Sequence, residues 1–203
     1  MSTPAPEPGS PLPAHSASGS APGGVTVLAG PTSVGKSTLS RFIRGAYPQV
    51  HFSVSATTRP ARPGEVEGED YLFIDAEEFD RLIQEKAFLE WATVHGVHRY
   101  GTLRSTVQRA IGQGKQVLLE IDLQGARQVR ETMPEAQFVF LAPPSWGDLV
   151  DRLTGRGTES EEEQRRRLET AKIELAAEPE FDVTIINDHV ERAAADLVAR
   201  MGF

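Results

Sequence analysis

The chain has 203 residues, 39% of them hydrophobic, a formal net charge of -8 at pH 7 and no cysteine. That length suits one domain of moderate size with its own core. The acidic balance excludes general charge attraction to a nucleic-acid backbone, the missing cysteines exclude disulfides and thiolate metal sites, and no apolar run is long enough to span a bilayer. A small anionic substrate stays open, because local Arg clusters outweigh the sum of charges. Lack of disulfides fits a reducing cytoplasm, the location expected here.

Residues 1–23 are dominated by Pro, Ala, Ser and Gly. They lack the charged-then-apolar order of a secretion signal and the apolar surface needed to offset ordering entropy, so a disordered tail is expected there. Order begins at Val25, with a β-prone run over Val25–Ala29 and a Gly-rich turn behind it. Leu39, Phe42, Ile43 and Ala46 then share one helix face, and Pro48 stops that helix. Residues 51–56 read as a strand, residues 57–70 as a polar loop and residues 71–74 as a strand. Asp75 and Glu78 resemble a capping box ahead of a helix carrying Phe79, Leu82 and Ile83. Phe88–Val94 is the next strand and residues 103–113 the next helix. Residues 117–122 form an apolar strand ending in two acids. Residues 138–141 and Val183–Ile186 are further buried strands. Residues 145–153 and 158–177 read as helices, the second charged on most faces and therefore lightly packed. Strands alternating with helices predict an α/β fold with a parallel sheet covered on both sides.

Two anion sites stand out. Gly30-Pro31-Thr32-Ser33-Val34-Gly35-Lys36-Ser37 fits the pattern G-x-x-x-x-G-K-[ST], placed between a strand and a helix. In such a P-loop, backbone N–H groups converge on phosphate oxygens at the positive end of the helix. Lys36 reaches the β- and γ-phosphates, and the Ser37 hydroxyl can hold Mg²⁺. A chance match in a chain of this length is roughly one in a hundred. Glu120 and Asp122, ending the most apolar strand, are the candidate acids for the metal shell. The second site is the Pro-stiffened loop with Arg59 and Arg62, whose guanidinium groups suit bidentate capture of a phosphate. A third group, Arg152, Arg156 and residues 165–167, follows later; Arg156 and Arg167 are the candidates for closing over a transferring phosphoryl group. His95 and His98 belong to a polar turn without further metal ligands, and Phe88 and Trp91 to a core. Trp146 is a weaker candidate for contact with adenosine.

From Gly24 to Phe203 the chain resembles the guanylate kinases. The resemblance rests on ordered blocks: the P-loop through Thr38, the run Phe52-Ser53-Val54-Ser55-Ala56-Thr57-Thr58-Arg59 with Arg62, Gly64-Glu65-Val66, and Asp70-Tyr71. It continues in Phe88-Leu89-Glu90-Trp91-Ala92, Tyr100-Gly101-Thr102, Glu120-Ile121-Asp122 with Gln124-Gly125, and Ala142-Pro143-Pro144-Ser145. Arg152-Leu153, Gly155-Arg156-Gly157-Thr158-Glu159, Glu174-Leu175-Ala176 and Ile186-Asn187 complete it. It implies a three-layer P-loop kinase with a parallel five-stranded core sheet, a small GMP-binding lobe over residues 53–102 and a helical lid over about residues 144–170, the core being residues 24–52 and 103–203.

The implied activity is transfer of the γ-phosphate of ATP to GMP with Mg²⁺, in purine nucleotide metabolism; the residues do not separate GMP from dGMP. By the same resemblance Arg59, Arg62, Tyr71 and Tyr100 hold the GMP phosphate, with Glu65 supporting the Arg pair. Ser55, Glu90, Thr102 and Asp122 read the base and nearby groups. Glu120 and Ser37 organise Mg²⁺, Arg156 and Arg167 reach the phosphates from the lid, and Asn187 lies near the adenosine. A carboxylate can accept both the N1–H and the N2 amino donor of guanine, and it repels the N1 acceptor of adenine. The chain departs from the family pattern at Thr32-Ser33, where Ser33 takes a backbone shape that Gly adopts readily, and at Thr102 and Glu120, where Ser and Asp are more familiar. The residues before Tyr100 run one longer than usual. The alternative reading is a non-catalytic guanylate-kinase-like interaction module, which typically lacks the P-loop residues kept here.

Overall fold

The computed structural model describes residues 23–94, 97–154 and 161–203. Strand β1 (Val25–Ala29) runs into the P-loop, and helix α1 (Lys36–Ala46) leaves it. Strands β2 (His51–Phe52), β7 (Val117–Glu120), β8 (Gln137–Ala142) and β9 (Val183–Ile186) join β1 in a five-stranded parallel sheet of order β2-β7-β1-β8-β9. This is the sheet the sequence predicts. Its middle strand is buried at every position, as expected of a strand covered on both faces.

Alternation along β1 assigns the two layers. Val25, Val27 and Ala29 pack with α3 (Arg104–Gly112) and α4 (Leu123–Thr132), through Val107, Ala110, Ala126 and Val129. Leu28 points the other way, into a cluster with Leu39 and Ile43 of α1 and Ala194 and Leu197 of α7 (Val190–Arg200). A second, four-stranded sheet has the order β4-β3-β6-β5. It comprises β3 (Ala56–Thr57), β4 (Leu72–Phe73), β5 (Phe88–Val94) and β6 (His98–Leu103). Helix α2 (Ala76–Gln84) seals one face of it, with Phe79 stacked on Phe88 at 4.6 Å between ring centroids. Phe88 and Trp91 thus serve the core, as expected.

The sequence reading needs four corrections. Residues 51–56 are not one strand: β2 belongs to the parallel sheet and β3 to the smaller one, so the chain changes sheets between Phe52 and Ala56. Residues 98–103 form β6, whose polar and glycine-containing sequence hides a strand fixed by pairing on both sides. His98 therefore lies in a strand and not in a turn, while His95 falls outside the described residues. Helices α4 and α7 also went unread, although both carry apolar residues at helical spacing. Asp75 does cap α2, accepting the Glu78 N–H at 2.7 Å, but the Glu78 carboxylate pairs with Arg81 and does not complete a box.

Helix α5 (Trp146–Thr154) and helix α6 (Glu161–Ala176) pack on each other through Leu149, Leu153 and Ala171, with Leu168 and Leu175 half-buried beside them. That narrow stripe bears out the light packing expected of a helix so rich in charge.

Candidate active site

In open α/β sheets the ligand crevice lies beyond the carboxyl ends of the strands, where the strand order reverses. Here β1 lies between β7 and β8, and the P-loop begins at its carboxyl end. Register places Leu28 beside Glu120, which brings the acid at the end of β7 to the mouth of the loop. The Ser37 hydroxyl lies 3.3 Å from Glu120 Oε1.

The loop is tied down from several directions. Gly35 has φ 104°, and a Cβ there would stand 2.6 Å from Asn187 Nδ2; only glycine satisfies both conditions. Asn187 is buried and donates to the Val34 carbonyl at 2.9 Å. Arg152 donates to the same carbonyl at 2.9 Å and to the Asn187 carbonyl at 3.2 Å. Ser33 takes the left-handed shape with φ 62°, the conformation expected for it, at a cost of about 1–2 kcal/mol for an L-residue. Its hydroxyl accepts from Arg167 Nη2 at 3.0 Å. Thr32 donates its N–H to Glu174 Oε2 at 2.6 Å. Helix α6 thus reaches the loop with one cation and one anion.

Lys36 donates to the carbonyls of Gly30 at 2.6 Å and Pro31 at 3.2 Å. Burial pulls its pKa below the ordinary lysine value, while Glu174, Glu120 and Asp122 oppose that shift. A cavity of about 720 Å³ opens over this arrangement, lined among others by Thr32, Ser33, Lys36, Thr38, Arg167 and Asn187. Among the described residues its lining holds three cations, Lys36, Arg152 and Arg167, and one acid, Asp188, a balance that suits a polyphosphate.

A second cavity of about 360 Å³ adjoins it, lined by Ser37, Arg44, Ser55, Tyr71, Thr102 and Glu120 among others. Ser37 belongs to both. Tyr71 and Tyr100 meet edge to face with centroids 5.7 Å apart. Arg59 lies against them, its Nε donating to the Tyr100 hydroxyl at 3.1 Å and its guanidinium 5.4 Å from the Tyr71 ring centre. Glu65 accepts from Arg59 Nη2 at 2.8 Å through one oxygen and from the Arg62 N–H at 2.7 Å through the other. Glu65 therefore braces the Arg59 side chain but only the backbone of Arg62, whose side chain is exposed. Its hydrogen bond to Arg59 holds the Glu65 carboxyl below the usual carboxylate range and raises Arg59 above the ordinary arginine value.

Glu90 is buried behind Thr102, which donates its hydroxyl to Glu90 Oε1 at 2.6 Å. Burial pushes its pKa up to about 7; the nearby Asp122 adds to the shift, and the Thr102 hydrogen bond opposes it. Asp122 caps α4, accepting the Gly125 N–H at 2.7 Å. A buried carboxyl shifted by desolvation and a neighbouring acid, set beside a cavity, is a candidate functional group.

The expected site residues thus fall into two adjoining groups. Thr32, Ser33, Gly35, Lys36, Ser37 and Thr38 line the larger cavity with Arg167 and Asn187, and Gly30, Pro31 and Val34 complete the loop. Ser55, Tyr71, Thr102 and Glu120 line the smaller one; Arg59 joins Tyr100 to Glu65 and lies near Tyr71, Glu90 bonds Thr102, and Asp122 stands near Glu90. Arg62 lines neither and is exposed. Arg156 lies outside the described residues. Trp146 lines neither cavity; Lys172 stands 5.6 Å over its ring. Three contributors were missed as site residues. Glu174 and Arg152 stand in the blocks that carry the resemblance, which assigns them no role; they act on loop backbone atoms across more than a hundred residues of chain, a contact that leaves no local signal. Arg44 lies seven residues after Ser37, two helical turns along the same face, with its guanidinium 3.8 Å over the Phe52 ring; the helical period could have found it.

The guanylate kinase family model matches residues 23–201. Over 177 residues the chain is 59% identical to the guanylate kinase of Leifsonia xyli, covering 87% of this chain and 70% of that one. Over 189 residues it is 57% identical to the guanylate kinase of Thermobifida fusca, covering 93% and 96%. The crystal structure of guanylate kinase from Anaplasma phagocytophilum superposes with a TM-score of 0.65 at 32% identity, covering 89% of this chain and 85% of that one. With a P-loop beside a second, carboxylate-backed cavity, and with likeness over residues 23–201, the chain belongs to the guanylate kinase family.

Proposed function

We infer that the protein transfers the γ-phosphate of ATP to GMP, giving ADP and GDP. The observation that carries this reading is that a cation-lined cavity and a carboxylate-backed cavity adjoin and share Ser37. Two nucleotides seated there meet phosphate to phosphate. The larger cavity takes the triphosphate: the P-loop amides and the α1 N-terminus receive its oxygens, Lys36 reaches the terminal phosphates, and Asn187 lies on the adenosine side.

The smaller cavity takes GMP. Arg59 and Arg62, with the hydroxyls of Tyr71 and Tyr100, hold its phosphate. Ser55, Glu90, Thr102 and Asp122 recognise the base, Glu90 accepting the N1–H and N2 amino donors once ionised. Arg167, reaching Ser33 from α6, and Arg156 offset charge on the phosphoryl group in flight. Positioning and charge supply most of the rate, and little general acid–base chemistry is needed.

Ser37 and Glu120 fit Mg²⁺, which is held by few protein oxygens and completed by water and phosphate; the two lie within contact of each other where the cavities meet. A bound ion would supply charge neutralisation for the phosphates there. Residues 53–102 act as the acceptor lobe and about 144–170 as the lid, the two drawing together to exclude water. No helix among the described residues is long and apolar enough to cross a membrane, and the cytoplasm is the proposed location.

A non-catalytic interaction module has no support here, since the loop keeps Lys36 and Ser37 on a formed cavity. An ADP-release assay with ATP and Mg²⁺, run with GMP, dGMP, AMP, UMP and dTMP as acceptors, tests the reading. GMP is the expected acceptor. Turnover with AMP matching that with GMP, or none with any acceptor from folded protein, would overturn it.

A further inference from the structure

Strand β5, which carries Glu90, is an edge strand of the smaller sheet. An edge strand presents peptide groups with no strand partner. Here side chains of core helix α4 take that place. Gln128 Nε2 donates to the Trp91 carbonyl at 2.9 Å, and Gln128 Oε1 accepts from the Trp91 N–H at 3.1 Å. A primary amide carries the same donor and acceptor as a peptide group, so Gln128 stands in for one residue of a neighbouring strand. Thr132 Oγ1 lies 2.9 Å from the Leu89 carbonyl and shares its one proton between it and the Gln128 carbonyl at 3.0 Å. The peptide groups before and after Glu90 are therefore both tied to α4.

The same helix shapes the space for the Glu90 carboxylate. A Cβ on Gly125 would lie 3.0 Å from Glu90 Oε2 and 3.3 Å from Asp122 Oδ1. Asp122, Gly125, Gln128 and Thr132 fall on one face at helical spacing. One stripe of α4 thus fixes the strand on either side of Glu90 and leaves room for the carboxylate between.

We propose that Gln128 is a positioning residue for base recognition, its amide fixing β5 against α4 so that the Glu90 carboxylate meets the guanine edge at the right depth. The inference rests on the reading of Glu90 as the base-recognising group. Two hydrogen bonds accepted by one carboxylate demand close placement, and a shift of about 1 Å at a site can cost roughly a hundredfold. The Trp91 clamp prevents such a shift without touching substrate.

The test is steady-state kinetics on the full chain with three variants. Gln128→Met keeps the length of the side chain and removes both polar groups. Its KM for GMP should rise about tenfold, the loss expected from one or two net hydrogen bonds, with KM for ATP within about twofold and the preference for GMP over AMP narrowed in step. Gln128→Ala removes the same two hydrogen bonds without adding a charge near Glu90, so its effect should have the same sign and split; if Gln128→Met fails to fold, Gln128→Ala decides the matter. Equal rises in KM for ATP and GMP would overturn the proposal, leaving Gln128 merely structural. Glu90→Gln is measured alongside. If it raises KM for GMP while Gln128→Met does not, the positioning role falls and the reading of Glu90 stands. If neither raises it, both fall.

Discussion

The two halves of the site are built in opposite ways. The donor cradle is a continuous stretch, residues 30–38, held rigid by backbone hydrogen bonds from distant side chains such as Arg152 and Asn187. The proposed acceptor pocket is assembled from four separate stretches carrying Arg59, Tyr71, Glu90 and Thr102, with Glu120 and Asp122 from the core. A polyphosphate is recognised by charge and amide geometry, which a single loop can supply. A nucleobase edge has a pattern of donors and acceptors, and matching it takes side chains from several directions.

If that division holds, mutations in the two halves move different parameters. Lys36→Ala should lower kcat by about a thousandfold or more, because it removes a preorganised charge on the transferring group, while thermal melting stays nearly unchanged. Glu90→Ala should raise KM for GMP by about a hundredfold, since a site built on hydrogen bonds discriminates strongly, with KM for ATP little altered. Kinetics with each nucleotide varied in turn check both. A single parameter shifted alike by the two variants would break the comparison.

A weaker effect sharpens it. The Glu90 pKa of about 7 lies above its ordinary value of 4.5, so between those values the folded protein holds a proton that the unfolded chain has lost. Stability contributed by this group is therefore greatest in acid and falls as pH rises through about 7. With Glu90 in the proposed role, binding runs the other way, because a guanine edge needs the carboxylate. KM for GMP should fall, by up to about tenfold, as pH rises from about 6 to about 8. Glu90→Gln should remove that part of the slope and should melt increasingly above wild type as pH rises. The GMP phosphate titrates identically in both proteins, so their difference isolates Glu90, and equal slopes would refute the pocket's electrostatics.

The smallest effect belongs to the donor loop. Ser33→Gly relieves a left-handed serine and adds the chain entropy of glycine, for a net gain in stability of about 0.5–1 kcal/mol. A loss, read by denaturant melting, would mean that the Arg167 contact with the Ser33 hydroxyl outweighs the backbone strain.

Local chemistry made the cradle legible. Spacing of Gly30, Gly35, Lys36 and Ser37, a preceding β-prone run and a following amphipathic face name a P-loop before any contact is known. The parallel sheet was legible for a related reason: strands buried on both faces read as apolar runs, as in β1, β7 and β8. β6 was not, because His98, Arg99, Tyr100, Gly101 and Thr102 have a strand's shape only through their pairing with β5 and β3. The shift of sheet between Phe52 and Ala56 was hidden by a run of uniformly strand-like residues.

The sequence alone determined the phosphate loop, the parallel α/β plan and, through its ordered blocks, the family. Those depend on contacts between residues near each other along the chain, whose spacing is visible directly. Only the tertiary structure decided that Glu174 and Arg167 grip the loop from α6, that the two cavities share Ser37, that burial brings Glu90 to the edge of neutrality, and that Gln128 holds the strand carrying it. Each of these depends on side chains far apart in sequence and on how much water their neighbours exclude, and neither is set by the order of residues until the chain has folded.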